Sequence, residues 1–177
     1  MRLGVDVGSV RVGLAASDPA GVLATPVATL AHDAEGGADA GRVVDEAAQR
    51  HALEVVVGLP RSLSGAEGPA AERARRYARS LDTLLAARDW DGERPRVRLV
   101  DERLTTVDAH RQLRESGVAG REQRAHVDQA AAVLILQAAL DAERTSGNPA
   151  GELVGGRKPR GRRSGRPPRQ TVTEDRQ

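Results

Sequence analysis

The sequence predicts an α/β fold: a mixed β-sheet with helices on both faces. Two observations carry this. The first thirty or so residues hold three strand-like segments in succession, able to form a meander. After them, helix-patterned segments alternate with short apolar runs, and one of these runs, Leu53–Val57 (LEVVV), is almost continuously apolar. Such a run suits a strand buried on both faces, as in a parallel sheet.

The elements follow in order. Leu3, Val5 and Val7 alternate with Gly4, Asp6 and Gly8, the period-two signature of a strand with one apolar face. Asp is a poor strand former. Set between glycines it suggests bare space kept for something that approaches closely, although a turn acid that satisfies hairpin amides would read the same. Gly8-Ser9 supplies a turn, and Arg11–Ala16 returns as the second strand. Gly21–Leu30 is the third, with Pro26 marking an edge or a bulge. Asp39–His51 reads as a helix with apolar Val43, Val44, Ala47 and Ala48. The Leu53–Val57 strand stops at Gly58-Leu59-Pro60 and passes into a polar loop, Arg61–Gly68, before Pro69 opens a long helix to about Arg88. Gly58, Gly65 and Gly68 frame that loop, whose amides either meet phosphate or simply connect strand to helix. Val97–Val100 is a further strand, ending at Asp101-Glu102-Arg103. Thr105 and Asp108 form a T-x-x-D capping box for a helix through about Ser116, closed by Gly117. In the last helix, Arg121–Glu143, the stretch Val127–Leu140 is apolar on almost every side, which marks it as buried and presses Asp128 toward the sheet. The order is β-β-β-α-β-α-β-α-α.

Composition bounds the rest. A chain of 177 residues is one domain with room for a real core, and with no Phe, one Trp and one Tyr that core must be aliphatic. The absence of Cys excludes disulfides and thiolate metal sites and fits a reducing compartment. No apolar run reaches the roughly 18 residues of a membrane span, and the strand-like start is unlike a signal peptide. A cytoplasmic protein is expected. The net charge of +2 hides an asymmetry: residues 145–177 carry eight Arg/Lys against Glu152, Glu174 and Asp175, a net of +5, so residues 1–144 carry −3. The expected division is therefore a folded domain, 1–144, and a disordered Arg/Gly/Pro-rich tail, 145–177, either an RNA anchor or a solvated appendage.

Three acids lie where such a fold would carry them to one end or face of the sheet: Asp6 on the first strand, Glu102 just after the last, and Asp128 on the final helix. Each has an ordinary alternative, as a turn acid, an ion-pair partner of Arg103, and a helix N-terminal acid. Buried carboxylates side by side repel unless neutralised, and a hard cation is the usual solution. Two Mg²⁺ or Mn²⁺ ions between them would clamp the attacking and leaving oxygens of a phosphodiester.

The words around these acids say more. VDVGSVRVGLAASD, VVVGLPRSLSGAEG, VDERLTT and HVDQAAAVLIL, in this order and spacing, resemble the YqgF/RuvX family across about residues 2–142. This is a group of RNase H-like proteins described as Holliday-junction-resolvase-like and as pre-16S rRNA nucleases. The resemblance implies an RNase H-like mixed five-stranded sheet flanked by helices and metal-dependent phosphodiester hydrolysis on structured nucleic acid. The substrate it implies first is the 5′ end of pre-16S rRNA in ribosome biogenesis, with branched DNA the alternative. It implies that Asp6, Glu102 and Asp128 are the catalytic and metal-binding residues. One departure stands out: the fourth strand ends in Gly58-Leu59-Pro60 without the acid many RNase H-like enzymes carry there. Glu102, or else Asp101, must serve from the next strand. Arg11 and Arg103 are candidates for the nucleic-acid backbone, with pairing to Asp101 the alternative for Arg103. His126 is a proton shuttle or phosphate contact, or else a surface residue. A two-domain sugar or acetate kinase also begins with D-x-G, but its second domain and second phosphate loop do not fit in this length. A binding or assembly factor that keeps the fold without efficient catalysis remains the non-enzymatic alternative. No heptad seam indicates an oligomeric state.

Overall fold

The structure, a computed structural model, describes residues 1–62, 64–104 and 121–155. The expected capping box of Thr105 and Asp108, its helix to Ser116, the side chain of His126 and residues 156–177 lie outside the described set. In chain order the elements are β1 (Arg2–Val7), β2 (Arg11–Ser17), β3 (Ala24–Ala31), α1 (Ala38–Gln49), β4 (Glu54–Leu59), α2 (Pro69–Ala87), β5 (Arg96–Asp101), a 3₁₀ turn (Glu102–Leu104), α3 (Arg121–Ser146) and β6 (Glu152–Leu153).

One mixed sheet runs β3-β2-β1-β4-β5-β6. The meander β1-β2-β3 is antiparallel, β4 and β5 run parallel to β1, and β6 is antiparallel to β5. Pro26 lies on the edge strand and at an irregularity, because Ala15 pairs with Pro26 while the preceding Leu14 pairs with Ala28. Both roles expected of that proline are filled, since it has no amide to give a ladder. All six residues of β4 are buried, as its apolar run foretold.

The sixth strand corrects the expectation of five. Glu152 and Leu153 sit in sequence that composition assigned to the tail, yet they pair with Leu99 and Arg98. Val154 donates its amide to the Val97 carbonyl at 2.9 Å and packs on the core. A polar two-residue strand has no readable periodicity; it forms because β5 would otherwise expose an unpaired edge.

The sheet separates two apolar layers. Leu3, Val5, Val12 and Leu14 face α1 and α2, meeting Val43, Ala47, Ala74 and Leu81. Ala15, Val56 and Val100 face α3, meeting Ala132, Ile135 and Leu136. Each buried Val or Leu contributes on the order of 1.5–3 kcal/mol. The α3 face is set by small residues. A Cβ on Gly4 would lie 2.6 Å from that of Leu136 and 2.8 Å from the Ala132 carbonyl oxygen. The bare space beside Asp6, which the sequence suggested was kept for something that approaches closely, is filled at Gly4 by α3 itself. Polar ties fix the helix at its far end: Gln137 accepts from the Ala24 amide at 2.9 Å, and Arg2 pairs with Glu143 at 2.8 Å.

Candidate active site

Asp6 stands on β1, on the face that α3 covers, and is 1 % exposed. Its two neighbours across the sheet are glycines. Gly13 of β2 pairs with it directly, and the register of Val5 with Val57 brings Gly58 of β4 abreast of it. Gly13 makes room for the helix backbone that carries Asp128, and Gly58 for the carboxylate of Glu102. The backbone of Asp128 crosses so close over Gly13 that its carbonyl oxygen occupies the position a Cβ would take. On the other side, a Cβ on Gly58 would lie 2.5 Å from Glu102 Oε1 and 2.5 Å from Ile135 Cδ1. Asp6 is thus bracketed by Glu102 and Asp128, themselves 1 % and 7 % exposed. The absent fourth-strand acid has a steric explanation: Glu102 reaches back over Gly58 from the 3₁₀ turn, and a side chain on β4 would block it.

Asp128 is held by Arg11, whose Nε donates to Oδ2 at 2.6 Å. Arg11, expected at the nucleic-acid backbone, is engaged with a carboxylate here; it shares a face of β2 with Gly13, which puts its side chain beside the start of α3. Arg103, the other expected contact, takes the pairing that the sequence left as its alternative. Its Nε and Nη2 meet the Asp101 carboxylate at 3.0 and 2.6 Å, and its amide donates to Asp101 Oδ1 at 3.0 Å. This guanidinium holds the Asp101 carboxyl below the usual carboxylate range. Asp101 is therefore tied into surface ion pairs while its neighbour Glu102 is buried beside Asp6.

Sequence reasoning missed Arg61 and Arg75. Arg61 reaches Asp101 at 3.5 Å and Glu67 at 2.8 Å, and Arg75 reaches Glu67 at 2.7 Å. These arginines line the mouth of the loop after β4, and no period or motif links Arg61, Glu67 and Arg75. Among the described residues three of the loop's amides are used internally, Ser62 donating to the Ala66 carbonyl, Gly65 to the Ser62 carbonyl and Ala66 to Ser62 Oγ. That favours the plain connection over a phosphate cradle.

The donors are carboxylate oxygens, the kind Mg²⁺ and Mn²⁺ take, and buried carboxylates on one sheet face call for positive charge. In kind they fit a hard cation. Among the described residues no three acidic or histidine side chains are grouped so as to hold an ion, and Asp128 is turned to Arg11.

The chain matches the family model described as RuvX, Holliday junction resolvase, over residues 1–142. It belongs to the RuvX family. RuvX relatives named "Putative pre-16S rRNA nuclease" include one from Kineococcus radiotolerans, 55 % identical over 166 residues, covering 94 % of this chain and 83 % of the relative. Another, from Nocardioides sp., is 52 % identical and covers 87 % and 96 %. Among solved structures, RuvC of T. thermophilus in complex with a Holliday junction substrate has a TM-score of 0.52 at 12 % identity, covering 86 % of this chain and 98 % of that one. That likeness speaks for the fold, the RuvC-like, RNase H-like arrangement the sequence predicts. Membership in RuvX makes the chain a nuclease, a hydrolase of phosphodiester bonds that acts on nucleic acid. No described helix is long and apolar enough to cross a membrane.

Proposed function

We propose that this chain is a divalent-metal-dependent endonuclease that trims the 5′ end of pre-16S rRNA in the cytoplasm, with Asp6, Glu102 and Asp128 as its metal-binding and catalytic residues. The observation that carries this reading is the row of three buried acids, Asp6 with Glu102 over Gly58 on one side and Asp128 over Gly13 on the other. β4 gives up a side chain at Gly58 to admit the Glu102 carboxylate, and β2 gives one up at Gly13 to admit the α3 backbone that carries Asp128; burying acids in this way is costly unless a partner compensates them. The rRNA substrate is favoured over branched DNA by the names of these relatives.

When bound, a pair of Mg²⁺ or Mn²⁺ ions supplies Lewis-acid activation of water and neutralises charge at the scissile phosphate. The chain's own part is positioning. Asp6 pairs with Gly13 of β2 and follows Val5, which pairs with Val57 of β4, so the backbone that carries its carboxylate is fixed. Glu102 is aimed by the 3₁₀ turn, and Asp128 by the close passage of α3 over Gly13. Arg61 and Arg103, now shared around Asp101, are placed to exchange that carboxylate for phosphate oxygens.

The test is cleavage of pre-rRNA fragments and four-way DNA junctions with and without Mn²⁺, using wild type, Asp6→Asn and Glu102→Gln. Metal-stimulated cutting of the rRNA fragment by wild type is expected, with both variants reduced by at least about 100-fold and still folded. Full activity in Asp6→Asn sinks the assignment. Binding without metal-stimulated cleavage would make the chain an assembly factor, and preference for the junction would make DNA the substrate.

A further inference from the structure

We propose that Arg11 is the built-in counter-cation of Asp128, a positioning residue that holds this carboxylate in the metal-free protein and yields it when a divalent cation binds. The proposal rests on the reading of the three acids as cation ligands and concerns how that site is kept stable and made ready.

The geometry carries it. Arg11 Nε and Asp128 Oδ2 are 2.6 Å apart, so the guanidinium occupies an oxygen that the function requires for a cation. The two partners differ in freedom. The Asp128 side chain is 10 % exposed and its backbone is wedged against Gly13, so the carboxylate stays. The Arg11 side chain is 29 % exposed, and Arg11 is both the last residue of the Gly8–Arg11 turn and the first of β2, so its side chain can leave toward solvent without disturbing the core. Charge points the same way. Buried acids without a compensating cation are costly, and a mobile arginine supplies one positive charge in the interval before a metal arrives. Once released, the guanidinium stands beside the site with its donors available to a phosphate. The contact with nucleic acid expected of Arg11 and the ion pair seen in the structure then belong to two states of one residue.

The exchange has a consequence that a merely structural ion pair lacks. If Arg11 competes for Asp128, removing its charge strengthens cation binding while weakening the metal-free fold, because apparent affinity is reduced by the fraction of protein in the competent state. The experiment is calorimetric titration of the full chain with Mn²⁺, without nucleic acid, for wild type, Arg11→Ala, Arg11→Gln and Asp6→Asn, alongside melting with and without Mn²⁺. Arg11→Ala is expected to bind Mn²⁺ about tenfold more tightly, to melt lower without metal, and to gain more from Mn²⁺ than wild type does. Arg11→Gln keeps an N–H donor near Asp128 and so guards against a failure of the Ala variant to fold; several-fold tighter binding is expected of it. If Asp6→Asn weakens Mn²⁺ binding but neither Arg11 variant tightens it, the acids are ligands and the exchange is wrong. If Asp6→Asn leaves Mn²⁺ binding at the wild-type level, the metal-site reading falls, and the exchange with it.

Discussion

Gly13 and Gly58 flank Asp6 alike, but a side chain at each would meet different neighbours. At Gly58 the obstacles are Glu102 Oε1 and Ile135 Cδ1, the tips of two buried side chains. At Gly13 the obstacle is the backbone of α3 at Asp128 and Gln129, which cannot move without the helix. Gly58→Ala is therefore expected to cost about 1 kcal/mol in a urea melt but to displace Glu102, reducing cleavage far more than stability. Gly13→Ala should fall at or above the top of the roughly 1–3 kcal/mol range of overpacked sites. Asp6 was legible in the sequence because a carboxylate between glycines violates strand preference. The purpose of the glycines was not, because what fills the space at Gly13 comes from a helix more than a hundred residues later.

At the scale of elements, the loop between β4 and α2 is held by charge. Arg75 and Arg61 flank the exposed Glu67 and hold its carboxyl down to about 2, against an ordinary value of 4.5. A folded-state value below the unfolded one means the contribution is complete above about pH 4.5 and is lost as pH falls toward 2. Arg75→Ala should move the Glu67 midpoint, followed by carboxyl NMR, up toward the ordinary value. High salt should weaken the network, since these charges face solvent. An unmoved midpoint in Arg75→Ala would show that Arg75 does not hold Glu67. The strands and long helices were legible because each follows a period, two for β1 and β2 and 3.6 for α1 and α2. The ion pairs of this loop follow none. Their members come from two elements and a turn, and folding alone makes them neighbours.

For the molecule as a whole, the boundary between the folded domain and the basic segment can be tested by truncation. Ending the chain after Arg144 removes β6, the Val154 packing and the Arg75–Glu152 pair. Ending it after Gly155 keeps all three. The shorter chain is expected to melt several degrees lower, whereas the longer one should melt with the full protein. We further propose that the eight basic residues after position 155 anchor RNA. On that view the chain ending at Gly155 binds RNA more weakly and with a flatter salt dependence; an unchanged salt slope would make the segment a bystander.

The sequence by itself determined the α/β class, the meander followed by parallel strands, the buried last helix and the three acids, because periodicity, glycine and proline placement, and misplaced charge act locally. The four motif blocks also determined the family. Only the tertiary structure decided that Glu102 reaches over Gly58, that α3 lies on Gly13, that Arg11 closes on Asp128, and that the chain past Ser146 returns to cap β5. Each of these joins segments with no common period, brought into contact by the packing of a helix or strand onto the sheet.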